Sequence, residues 1–132
     1  MGARQMSTLA EVSAVRQIPD QPRRRWFWSG ALELMVWLNP SGSPLGFQLC
    51  YDKDREERVL TWTPQRGYSH MSVDDGEAAA GSRYKGTPLL VADGYFDANR
   101  VLETFLGKSS NVPREIAKFV TEKLKDHPNY GA

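Results

Sequence analysis

The sequence predicts a two-layer α+β domain: an antiparallel meander sheet of five or six strands, covered on one face by two C-terminal helices. Three observations predict it. Short aromatic and branched runs alternate with turn residues between residues 22 and 92. Most connections between these runs are too brief for a parallel crossover. Two later segments repeat apolar residues at helical spacing. A leucine-rich sheet face and two single-striped helices bury each other's apolar surface.

With 132 residues the chain has the length of one domain and can bury a real core. A hydrophobic fraction of 40% and a charged fraction of 25% argue against disordered and fibrous classes. The net charge of +1 supplies no global field for nucleic acid or an anionic membrane, so partners must be argued from local patches. Cys50 is the only cysteine, which excludes an internal disulfide and a thiolate zinc cage. With no signal-length or membrane-spanning apolar stretch, a cytoplasmic location is expected.

Residues 1–21 read as a flexible N-terminal leader, set off by Pro19-Asp20-Gln21-Pro22 from a single domain over 22–132. Thr8 and Glu11 have capping-box spacing, and with Leu9, Val12 and Val15 they offer a short helix through Gln17. The strands are expected at Arg23–Trp28, Ala31–Leu38, Leu45–Tyr51, Arg58–Thr63 and Tyr68–Val73, with Leu89–Ala92 a short sixth.

Alternation places Leu32, Leu34, Val36 and Leu38 on one side with Leu45, Phe47, Leu49 and Tyr51, continued by Leu60, Trp62, Met71 and Val73. The opposite face then carries Glu33, Met35, Trp37, Gln48, Cys50, Thr61, Thr63, Tyr68, His70 and Ser72. Residues 76–88 form a small-residue loop, either a lid or slack. Asp97 caps a first helix with Ala98, Val101, Leu102 and Phe105 on its buried face and Gly107 at its stop. Pro113 opens a second, striped by Ile116, Phe119, Val120 and Leu124, favoured at its end by Lys123 and Lys125 and closed by His127-Pro128.

Motifs with specific chemistry are sparse. His70 and Asp74 lie an even interval apart and could act as base and orienter, with Cys50 as a possible thiol, but no nucleophile motif accompanies them. Asp74, Asp75 and Glu77 offer oxygen ligands, yet Asp75-Gly76 is an ordinary turn signal and no metal or cofactor is expected. The Gly81 to Thr87 pattern lacks the lysine order of a phosphate loop. Arg23-Arg24-Arg25-Trp26-Phe27-Trp28 pairs guanidinium groups with rings and offers a single-stranded nucleic-acid site; core packing of the rings is the simpler use.

The face bearing Trp37, Gln48, Thr61, Tyr68 and His70 remains. Rings among hydrogen-bonding groups suit a small ligand, a peptide or a second subunit; the alternative is that another part of the chain covers them.

Gly46-Phe-Gln-Leu-Cys-Tyr-Asp-Lys53, Val73-Asp-Asp-Gly-Glu77 and Lys85-Gly-Thr-Pro-Leu-Leu-Val-Ala-Asp-Gly94, followed by Phe96-Asp97, resemble a family of short uncharacterised bacterial proteins. The resemblance covers about residues 23–125. It implies a bacterial source and brings no activity, cofactor or catalytic residue. The leading expectation is a non-catalytic small-ligand or protein-interaction domain, with a homodimer as one form. An enzyme using His70 and Asp74 and a nucleic-acid binder using Arg23–Trp28 are the alternatives; nucleic-acid and membrane partners are disfavoured.

Overall fold

The structure is a computed structural model that describes residues 8–53, 56–74, 89–92 and 95–131. Seven antiparallel strands follow one another in sequence order: β1 (Ala10–Glu11), β2 (Arg23–Trp28), β3 (Glu33–Leu38), β4 (Pro44–Tyr51), β5 (Arg58–Thr63), β6 (Gly67–Asp74) and β7 (Leu89–Ala92). Six of them are the predicted meander. β1 is an added two-residue edge, paired with Trp28 and Phe27 of β2. Helices α1 (Ala98–Lys108) and α2 (Arg114–Asp126) form the second layer.

Side chains shape the turns. Ser29 Oγ accepts from the backbone N–H groups of Ala31 and Leu32, which closes the β2–β3 connection. Asn39 Oδ1 accepts from Ser41 N and Ser43 N, and Gly42 takes the positive φ of 93° that this turn requires. Asp97 caps α1 by accepting from Arg100 N at 3.2 Å. α1 runs through Gly107 and ends at Lys108, one residue beyond the predicted stop. Pro113 is the N-cap of α2, where its missing N–H costs nothing.

The core is the predicted leucine face under its helical roof. Phe27, Leu34, Val36, Phe47, Leu49 and Leu60 from the sheet are fully buried with Val101, Phe105, Val120 and Leu124 from the helices. Phe119 sits at the margin, edge-on to Phe47 and Trp62.

Three expectations change. Residues 8–17 form no helix. Glu11 turns outward to Arg25, and Ala14 adopts a positive φ of 56° that interrupts any helical run. Leu9, within the predicted leader, is fully buried in the core, and its N–H donates to the carbonyl of Lys108.

A register shift at Trp37/Leu38 makes Leu45 an extra residue in β4. The bulge removes Leu45 from the leucine row and leaves it only partly buried.

The third change concerns the phase of β6. Thr63 pairs with Gly67 across a three-residue loop, with Gly67 at φ 71°, so Trp62 faces Tyr68 and Leu60 faces His70. Tyr68, His70 and Ser72 therefore share the face of Leu60 and Trp62, whereas Met71, opposite Val59, takes the other.

Candidate binding face

Both helices pack on the leucine face, and the opposite face is organised in rows of cross-strand partners. One row reads Trp26, Met35, Gln48, Thr61 and Ser69 across β2 to β6. A second reads Trp28, Glu33, Cys50, Val59 and Met71. A third sets Arg24 opposite Trp37 and Trp37 opposite Gly46. Of the predicted site residues, the structure brings Trp37, Gln48 and Thr61 together here, all half-buried. It separates Tyr68 and His70 from them by the thickness of the sheet.

Gly46 explains a depression beside Trp37. A Cβ at this position would lie 2.6 Å from the carbonyl oxygen of Trp62, so the close approach of β4 and β5 demands glycine. With no side chain opposite it, the Trp37 ring borders a slot of about 260 Å³ walled by Pro22, the bulged Leu45, Thr63, Pro64 and Gln65. Arg24 closes the neighbouring edge. Its guanidinium donates to the carbonyl of Arg16 at 2.8 Å and to Met35 Sδ at 3.7 Å.

The other end of the face is polar, with two carboxylates sharing one ammonium. Glu33 accepts from Trp26 Nε1 at 2.5 Å and from Lys53 Nζ at 3.1 Å, and Glu57 accepts from the same ammonium at 3.2 Å. One ligand atom each from Glu33, Cys50 and Glu57 lie within 4.8 Å of one another. Lys53 already supplies the cationic charge there. Burial, followed by the neighbouring Glu33 and Glu57, pushes the Cys50 thiol up to about 12. A thiol held protonated in this way is a poor nucleophile.

On the helix side, the Tyr51 hydroxyl hydrogen-bonds His70 Nε2, and the His70 ring packs 5.0 Å from Phe96. Tyr68 donates to the carbonyl of Lys123 at 2.6 Å and meets the His127 ring edge-on at 4.7 Å. His127 Nδ1 accepts from Asn129 N at 3.0 Å, and burial lowers its pKa. These rings join the sheet to the end of α2. The side chain of Asp74, and Asp75, Glu77 and the 76–88 loop with its Gly81 to Thr87 pattern, lie outside the described residues.

The arginine-tryptophan run is divided by strand alternation. Arg25 forms a two-point ion pair with Glu11 at 2.6 and 2.7 Å and covers the Phe27 ring, which is core. Trp26 and Trp28 point with Arg24 to the face opposite the helices, where Met35, Cys50 and Val59 are buried.

Residue-type reasoning missed the Trp26–Glu33–Lys53–Glu57 set and the slot itself. Gly46 was the available signal for the slot, a glycine inside an otherwise apolar strand. Among the described residues no helix is long and apolar enough to cross a membrane. Comparison with protein-family models, curated proteins and solved structures finds no match for this chain.

Proposed function

We propose that this chain is a non-catalytic binding domain that holds a protein or small-ligand partner against the open sheet face, with the slot beside Trp37 as its anchor. The observation that carries the reading is the Trp37–Gly46 pair, where a half-buried indole borders an apolar recess on a face that neither helix covers. Trp26 and the exposed Trp28 extend the apolar surface along β2, while Gln48 and Thr61 add hydrogen-bonding groups. This mixture is typical of recognition surfaces. The reading includes a bacterial source and a cytoplasmic setting, which the single buried cysteine suits.

Two features support binding over catalysis. Cys50 is buried and protonated, and the His70 ring is engaged by Tyr51 and Phe96. A fragment screen followed by amide and indole NMR shifts tests the proposal. Hits are expected to move Trp37 Nε1–H and the amides of Gly46, Gln48 and Thr63. Hits that gather around Tyr51 and His70 instead would overturn it. Sedimentation velocity over a concentration series, with and without Trp37→Ala, shows whether a second copy of the chain is the partner.

A further inference from the structure

We infer that Glu33, Cys50 and Glu57 form a binding site for a thiophilic divalent cation of the zinc type, at the end of the open face away from the slot. Strand register builds it. Glu33 is the direct partner of Cys50 across β3 and β4. Cys50 in turn faces Val59, and Glu57 precedes Val59 by two residues, which returns its side chain to the same face. One ligand atom from each of the three lies within 4.8 Å of the other two. A four-coordinate zinc ion holds sulfur at about 2.3 Å and oxygen at about 2.0–2.2 Å, which sets its ligand atoms roughly 3.4–3.6 Å apart. Small rotations of the two carboxylates cover that difference.

The donor set selects the occupant. Two carboxylates share the single ammonium of Lys53, at 3.1 and 3.2 Å, so the group keeps one uncompensated negative charge. When a divalent ion enters, the thiol gives its proton to solvent and Lys53 swings outward; three anionic ligands then balance the ion and the ammonium. Sulfur beside carboxylate selects zinc or cadmium over magnesium and calcium, which take oxygen ligands. Cys50 itself points to a ligand. It is 9% exposed, its Sγ is turned into the cluster, and its S–H meets no acceptor among the described residues. Gln48 hydrogen-bonds the sulfur in the sense that favours thiolate. Trp26 Nε1 steadies the site from outside, donating to Glu33 Oε2 at 2.5 Å and leaving Oε1, which Lys53 now holds, to turn to the ion. The Glu33 and Glu57 side chains are 22% and 26% exposed, which gives an entry path and a fourth position for water.

The full chain, stripped with a chelator, is titrated with cadmium, zinc and magnesium chlorides. Cadmium is expected to raise the ultraviolet charge-transfer band of a cadmium–thiolate bond at one ion per chain, and zinc to bleach that band by displacement. Magnesium should do neither. Cys50 is the only cysteine, so the band reports this site alone. Glu57→Gln should weaken cadmium by at least about tenfold, and Lys53→Met, which removes the competing ammonium, should tighten it by a similar factor. Loading should also raise the Tm of the native chain and of Lys53→Met, whereas cadmium taken up by an unfolded chain lowers it.

A band whose affinity is unchanged in both variants would reduce the site to a lone thiol and overturn the inference. The same holds for a missing band, a fall in Tm on loading, an equal response to magnesium, or cadmium that zinc fails to displace. Each of these outcomes leaves the slot beside Trp37 untouched, since the fragment screen reads that end of the face by itself.

Discussion

Gln17 stands in for a strand residue beside Arg24: its Nε2 donates to the Arg24 carbonyl at 3.0 Å and its Oε1 accepts from the Arg24 N–H at 2.9 Å. The side-chain amide reproduces the two bonds that another strand would make with the outer edge of β2. Val12 N, bonded to Trp26 O, and β1, paired with Phe27 and Trp28, occupy the same edge further along. An edge satisfied in this way is poorly available to other chains.

Gln17→Ala is therefore expected to cost about 1 kcal/mol in urea denaturation, since two exposed hydrogen bonds are lost without leaving buried orphans. It should also raise the tendency to associate at high concentration, read by light scattering. Stability and association both unchanged would show that the amide is ornamental.

Gly46→Ala should destabilise by about 1–3 kcal/mol, because the new methyl group meets the Trp62 carbonyl, a backbone atom that cannot swing aside. Thermal unfolding checks this. A neutral result would mean that β4 and β5 separate easily at the slot.

Cys50 should react with a disulfide reagent at pH 8 at least about a hundredfold more slowly in the folded chain than in urea, as burial and the two glutamates hold it protonated. The sign of the linked stability follows. The folded thiol titrates above its ordinary value near 9.0, so its contribution is intact below that pH and declines as pH rises toward about 12. Rapid native labelling would contradict the burial.

His127 predicts an opposite slope at mild acidity. Its pKa is lowered by burial from an ordinary value near 6.5, so the unfolded chain takes up the proton first. Stability is full above that value and declines as pH falls through it toward the folded pKa. Protonation of Nδ1 also ends its acceptance from Asn129 N. His127→Gln should flatten part of the slope in denaturation curves between pH 5 and 8; an identical profile would remove His127 as its source.

Legibility in the sequence followed how far each pattern was determined by local spacing. Leu34, Val36, Phe47 and Leu49 alternate without ambiguity, and Val101, Phe105, Val120 and Leu124 recur at helical intervals, so sheet, roof and core could be read directly. β6 could not be phased in the same way. Tyr68-Ser69-His70-Met71-Ser72-Val73 offers apolar groups in both phases, and loop geometry at Gly67 chose the one that sets Tyr68 and His70, half-buried, on the helix side of the sheet. Of the candidate site, Trp37, Gln48 and Thr61 were legible as one face. The slot was not, because it arises from a bulge at Leu45 and from the approach of Gly46 to the Trp62 carbonyl, both products of pairing between strands. Likewise Lys53 reaches Glu33 from another turn of the chain.

The tie between Leu9 N and the carbonyl of Lys108 sets an order of events during synthesis. The plug that seals the core emerges from the ribosome early, but its partner emerges only when α1 is made. At about 5–20 residues per second that interval lasts several seconds. For that time Leu9 lacks its carbonyl from α1, while Val12 and Gln17, made before β2, are already at hand for the outer edge of that strand.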